Sequence, residues 1–328
     1  MATSDGVSNG TQSPIRKVLI LGDNRLASSI ISGLISTKFD VHQIVHAQST
    51  LSTNTNATIH KSDFSQQSLA SHFSNLSPDI LFSTQSPGSY DFQTQVINTA
   101  ILTHIPRFVA AEFGHDTLNC KIQERLPPYK ERVKVIQYLR DHESSIEWIG
   151  IATGCTLDYA LLSGNLGFDL KWQSATIPGS GDEVFAASSS AWIGRVAHSI
   201  ITHWNDVKNE YLYAAGMLVS GNQISRQLQD QTGQKWEVGN VDVDDIVSEG
   251  ERRFERGFPD AGMFLMERSV LFDKGLDAVR PFEERDAKKV LGLDGGEKLE
   301  DVIKRVVHEH GHRRGGDSPE ESLPIASY

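Results

Sequence analysis

The chain has 328 residues, 38% of them hydrophobic, and sets 31 Lys and Arg against 42 Asp and Glu for a net charge of −11. That length buries one large core or two unequal ones, and the acidic balance argues against nucleic acid or an anionic membrane surface as a partner. Two cysteines, Cys120 and Cys155, are too few for a disulfide framework and fit a reducing compartment. No run approaches the roughly 20 apolar residues of a membrane span, so a cytoplasmic location is expected.

Residues 1–14 are polar, rich in Ser, Thr, Gly and Asn, and lack the basic start and apolar stretch of a signal peptide. They are expected to form a disordered arm. Lys17-Val-Leu-Ile-Leu21 reads as a buried parallel strand, and Ser28–Ile35 resumes with helical spacing after a turn. A strand, a tight turn and a helix are the setting in which G-x-G-x-x-G cradles a pyrophosphate. In Gly22-Asp-Asn-Arg-Leu-Ala27 only the first glycine stands, with Asn24 and Ala27 at the second and third positions. Gly22 keeps the turn, Asn24 puts a side chain where backbone would approach phosphate, and Ala27 is an accepted substitute. Asp23 adds an anion beside the phosphate position, and Arg25 offsets it.

Further strands are predicted at residues 41–45, 57–60, 79–83, 107–111 and 146–151, with helices at 65–76, 93–103 and 129–140. This alternation predicts an α/β fold, a doubly wound parallel sheet of Rossmann type spanning residues 15–153. From Gly154 the alternation loosens, with turn clusters at 164–168 and 178–182 and helices at 192–204, 222–232, 242–256 and 299–310. Residues 154–310 are expected to be mainly a smaller substrate-binding region, and residues 311–328 a disordered tail. Ligands of open α/β sheets bind outside the carboxyl ends of the strands, which directs attention to residues just after Leu21, Val45, Ser83 and Ala111.

Several segments carry a resemblance. Ile105-Pro-Arg-Phe-Val-Ala-Ala-Glu-Phe-Gly-His-Asp116 is similar to the signature VKRFxPSEFGxD of the NmrA-like and isoflavone-reductase-like atypical short-chain dehydrogenases. Leu126-Pro-Pro-Tyr before a basic helix, Glu147-Trp148 followed by Thr153-Gly154, Tyr211-Leu-Tyr213 and Thr232-Gly-Gln-Lys-Trp236 also fit. The chain resembles the fungal branch of that family from about Lys17 to about His310. The resemblance implies NADP(H), contacted by Gly22, Asn24, Arg25, Leu26, Ala27, His46, Asp63, Ser83, Glu112 and Phe113. It also implies a small aromatic or otherwise conjugated substrate near Phe113, and Cys155 and Tyr159, which follow the sixth strand, are expected to line its pocket. The family's Arg for the 2′-phosphate falls near His46, where an imidazole lacks the fixed charge and the fork of a guanidinium. Its active-site lysine falls on Arg132, which holds or polarises an oxyanion but cannot act as a general base.

Each candidate has a plainer alternative. His115 and Asp116 read as a proton-transfer pair or as a structural contact. Arg132 is either an oxyanion contact or part of a solvated charged run with Lys130, Glu131 and Lys134. Phe113 either stacks on a flat ligand or belongs to the core, and Glu112 either lines the site or ties loops together. Asp63 either approaches the adenine or starts a helix beside Ser65. His308-Glu-His-Gly-His312 matches H-E-x-x-H, but Gly311 predicts a helix stop before His312, so no metal site is expected.

Three functions remain in view. The first is an NADP(H)-dependent tailoring oxidoreductase on a small aromatic or polyketide-like secondary metabolite. The second is an isomerase, cyclase or dehydratase that uses no cofactor, for which the altered glycine loop speaks. The third is a non-catalytic nucleotide-sensing regulator. The sequence does not state the oligomeric order.

Overall fold

A computed structural model describes residues 14–35, 37–50 and 57–315. The predicted arm, apart from its last residue, and the tail beyond residue 315 lie outside the described residues. The first half runs β1 (Lys17–Leu21), α1 (Arg25–Leu34), β2 (Asp40–His46), β3 (Thr58–Ser62), α2 (Gln66–Leu76), β4 (Ile80–Ser83), α3 (Tyr90–Leu102), β5 (Arg107–Val109), α4 (Cys120–Arg125), α5 (Pro127–Asp141) and β6 (Glu147–Ala152). Next come β7 (Cys155–Thr156), α6 (Leu157–Leu162), β8 (Phe168–Asp169), β9 (Ser174–Pro178), β10 (Val184–Ser188), α7 (Ser190–Thr202), α8 (Trp204–Val207), β11 (Glu210–Tyr213) and β12 (Met217–Ser220). The chain then forms α9 (Gly221–Thr232), β13 (Glu237–Val241), α10 (Val243–Glu255), α11 (Pro259–Phe272), α12 (Arg280–Glu284) and α13 (Leu299–Gly315).

Seven strands make one parallel sheet in the order β11-β6-β5-β4-β1-β2-β3. β1 explains why its sequence is an unbroken apolar run. Val18 and Ile20 pack toward α1 and α7, and Leu19 and Leu21 toward α2, α3 and α5. A strand covered on both faces has no polar side to show. This is the predicted doubly wound architecture.

Segments beyond residue 153 also contribute to the sheet and its cover. After β6 the chain leaves the sheet, then returns so that β11 pairs with β6 and α7 covers β1's face. β11 has only four residues, between α8 and β12, too few to announce itself by periodicity. The remaining C-terminal residues form two three-stranded sheets, β12-β10-β7 and β13-β9-β8, around a core containing Leu161, Ile177, Phe185, Ile224 and Ile303.

α1 and α7 approach at a pair of glycines, where a Cβ on Gly33 would stand 2.3 Å from the Gly194 carbonyl oxygen. Gly33→Ala is therefore expected to force the helices apart and cost about 1–3 kcal/mol, as overpacking does. Thermal unfolding checks this, and an unchanged midpoint would refute the contact.

α13 is longer than expected, continuing past Gly311 to Gly315. Val302, Ile303 and Val306 anchor it in the C-terminal core, and one exposed glycine costs a helix only about 1 kcal/mol. The extension puts His308 and His312 one turn apart, with their Nε2 atoms at 3.0 Å. Among the described residues no group of three or more His, Cys, Asp or Glu is arranged to hold a metal. No helix among them is long and apolar enough to cross a membrane.

Candidate functional site

Strand order reverses between β1 and β4, so the crevice favoured by ligands lies at the carboxyl ends of these two strands. Gly22 sits there at φ +124°, and a Cβ would fall 2.4 Å from Thr84 Oγ1. Asn24 is the N-cap of α1. Its Oδ1 accepts from Ala27 N at 3.0 Å, and its Nδ2 donates to Thr84 O at 2.6 Å. The side chain expected to obstruct a phosphate instead stitches the turn to the loop after β4.

Ala27 N is thereby committed, but among the described residues the N–H groups of Arg25 and Leu26 meet no protein acceptor. Two such donors at the positive end of a helix suit an anion. The Arg25 guanidinium lies 4.0 Å from the Tyr159 ring centre, beside the same turn. The donor set fits the pyrophosphate of a dinucleotide, with a narrower contact than three glycines would allow.

At the end of β2, His46 accepts from Gln48 N through Nδ1 at 3.3 Å and meets the Phe64 ring edge-on at 5.4 Å. Phe64 in turn lies 5.9 Å from Phe92. Asp63 is exposed, and its carboxylate accepts from Ser65 N at 2.9 Å and Ser65 Oγ at 2.8 Å, which holds its pKa below the usual range. Ser65 caps α2, so Asp63 stands at a helix start. Ser83 is buried and donates to Gln93 Oε1 at 3.0 Å, tying β4 to α3. The structure brings Gly22, Asn24, Arg25, Leu26 and Ala27 together at the turn. It sets His46 and Asp63 at the neighbouring strand ends and keeps Ser83 in the interior.

The segment after β5 differs most from expectation. Glu112 is buried and accepts from Thr117 Oγ1, from Tyr211 OH at 3.3 Å and from Arg132 Nε at 3.3 Å. Arg132 Nη2 also donates to the carbonyls of Ala111 at 2.9 Å and Glu112 at 3.0 Å. Its guanidinium lies over the Tyr129 ring at 4.5 Å. Burial opposes the charge on Arg132, but Glu112 and the neighbouring tyrosines outweigh it and hold the pKa above its ordinary value. Arg132 is buried and not on a solvated face, because a buried carboxylate demands a buried partner. Tyr129, Arg132, Ile136 and Leu139 share the buried face of α5. That spacing was readable in the sequence beneath the charged run.

Phe113 adopts φ +52° and donates its N–H to Ile151 O at 2.6 Å. Its ring is 4% exposed and packs in the core with Ile151 and Trp192, which leaves no open face for stacking.

A cavity of about 120 Å³ opens between this segment and the C-terminal region. His115, Asp116, Gly154, Glu183, Val184, Phe185, Val270, Phe272 and Phe282 are among its lining residues. Burial, and secondarily the Arg132 charge, lowers the His115 pKa to about 4, so the ring is neutral. Burial raises the Asp116 carboxyl above its usual range. Asp116 Oδ1 accepts from Tyr213 OH at 3.0 Å and Leu118 N at 2.9 Å, which leaves Oδ2 without a protein donor among the described residues. The expected His115–Asp116 pair is not made, and Tyr213 takes that place.

Cys155 and Tyr159 do not line this cavity. The Cys155 thiol is pushed up to about 12 by burial, with Glu267 and Asp158 adding to the effect, and is a poor nucleophile. Tyr159 lies under Arg25 instead. Thr117, Tyr129, Tyr211 and Tyr213 complete the network and were not foreseen as site residues. The Tyr211-x-Tyr213 repeat was the available signal, since alternate residues of a strand face one side.

No protein-family model matches the chain. Oxidoreductase aprR of Aspergillus flavus is 29% identical over 233 residues, covering 70% of this chain and 78% of that protein. A solved binary complex of leucoanthocyanidin reductase with NADPH from Vitis vinifera superposes with a TM-score of 0.70 at 16% identity, covering 89% of this chain and 99% of that one. A solved isoflavone reductase gives 0.68 at 14% identity, again over 89% and 99%. At these identities the two structures speak for the fold. With the fungal relative they support the family-level resemblance of this chain to the isoflavone-reductase-like proteins.

Proposed function

We propose that the protein is an NADP(H)-dependent reductase of a small, neutral, aromatic or polyketide-like metabolite. The observation that carries this reading is a helix terminus with open N–H groups at the strand-order switch of a doubly wound sheet, and the cavity beyond β5 adds a neutral His115 and an Asp116 of raised pKa. The fungal oxidoreductase relative and the NADPH-bound fold neighbour agree with it.

Gly22, Arg25 and Leu26 would hold the pyrophosphate, and the nucleotide, when bound, supplies hydride. Phe185, Val270, Phe272 and Phe282, all buried, supply apolar walls to the cavity. His115, held neutral, donates a ring N–H to a substrate oxygen and polarises it without a formal charge. Asp116, whose Oδ2 has no protein donor among the described residues and whose pKa is raised by burial, is placed to relay a proton from solvent to that oxygen as negative charge develops. Arg132 and Glu112 do not touch substrate in this scheme and position the loop that carries His115.

Calorimetric titration of the full chain with NADPH and NADH tests the reading. Micromolar binding supports it. No binding into the millimolar range overturns it and transfers the cavity to a cofactor-independent isomerase or cyclase. With binding established, His115→Ala should lower turnover by about 10²-fold, as loss of an oxyanion donor does. Wild-type rates would remove His115 from the mechanism.

A further inference from the structure

We propose that Lys61, on β3, supplies the cation that recognises the ribose 2′-phosphate of NADP(H) and sets its preference over NAD(H). The inference rests on the nucleotide-binding reading above. In doubly wound sheets the carboxyl end of the second strand meets the adenosine ribose. An acidic residue there bonds a free 2′-hydroxyl, and a cation there accommodates a 2′-phosphate.

In this chain β2 ends at His46 and the turn continues Ala47-Gln48-Ser49. The turn therefore has no carboxylate to take a free ribose hydroxyl and no guanidinium to take a phosphate. Lys61 pairs with Val45 in the β2–β3 ladder and reaches past it. Its ammonium stands 3.5 Å from Ala47 O and 3.4 Å from Ser49 O, on the turn itself. Both carbonyls are at the outer limit of hydrogen bonding, so they orient the ammonium without neutralising it.

Among the described residues Lys61 meets no carboxylate at salt-bridge distance. Asp63, two residues on, is engaged by both donors of Ser65 at the start of α2. A solvated ammonium reads a phosphate dianion as a point charge and does not need the fork that His46 lacks. At the end of β2 His46 meets the Phe64 ring edge-on at 5.4 Å, and Phe64 lies tilted at 5.9 Å from Phe92.

The test is calorimetry on the full chain with adenosine 2′,5′-bisphosphate, 5′-AMP, NADPH and NADH, comparing wild type with Lys61→Ala and Lys61→Arg. Lys61 is exposed, so both variants should fold. Lys61→Ala should weaken the bisphosphate and NADPH by about tenfold or more while leaving 5′-AMP and NADH unchanged. Lys61→Arg should restore the discrimination, and in wild type the preference should shrink as salt rises. NADPH binding that Lys61→Ala leaves intact, or an equal loss for all four ligands, overturns the assignment of Lys61 alone. Wild type that binds none of the four overturns the nucleotide reading as well.

Discussion

Arg132→Met should destabilise the protein by about 3–5 kcal/mol in urea unfolding, the range expected when one partner of a buried ion pair is removed. Arg132 is 8% exposed and Glu112 is 6% exposed, and the guanidinium spans the carboxylate and two carbonyls of one loop. Without it the Glu112 carboxylate keeps Thr117 and Tyr211 as donors but loses its countercharge. The Ala111 and Glu112 carbonyls lose the same donor. Arg132→Lys should recover only part of the loss, because an ammonium cannot reach all three acceptors in one plane. The double variant Arg132→Met with Glu112→Gln should regain most of it, since no uncompensated charge then stays buried. A loss below about 1 kcal/mol with a collapse of turnover would mean that the guanidinium contacts substrate, as its place in the family pattern implies.

Between pH 7 and pH 4 the protein should lose up to about 3 kcal/mol of stability through His115. Its folded pKa is about 4 against an ordinary 6.5, so the unfolded chain takes up a proton that the folded state refuses. The contribution is complete above pH 6.5 and declines as pH falls toward 4. Asp116 acts with the opposite sign, because its raised folded pKa relieves the cost of a buried carboxylate as pH falls. His115→Asn should therefore flatten the acid limb, and Asp116→Asn should steepen it. Thermal midpoints collected across this range decide the matter. An unaltered acid limb in His115→Asn would assign the loss elsewhere, with His60 next in line, since burial and the charges of His42 and His72 lower its pKa too.

The architecture was legible where burial is dictated by a run of neighbouring residues. Lys17–Leu21 had to be covered on both faces, and Gly22 had to make the turn that follows, whatever lay around them. The site was less legible because its groups are paired across the chain. Arg132 answers a carboxylate twenty residues earlier, and Tyr213 reaches Asp116 from ninety-seven residues away. His115 and Asp116 adjoin in sequence, yet Asp116 bonds to Tyr213 and Leu118.

From the sequence alone came the strand–turn–helix order and the doubly wound sheet, because periodicity and turn chemistry are local properties. Only the tertiary structure decided that Arg132 braces a loop, that Phe113 packs inside and that β11 completes the sheet. It alone also carried the ammonium of Lys61 to the end of β2. Those outcomes depend on which distant partner satisfies a buried charge or an open strand edge, and that choice is made only when the chain closes on itself.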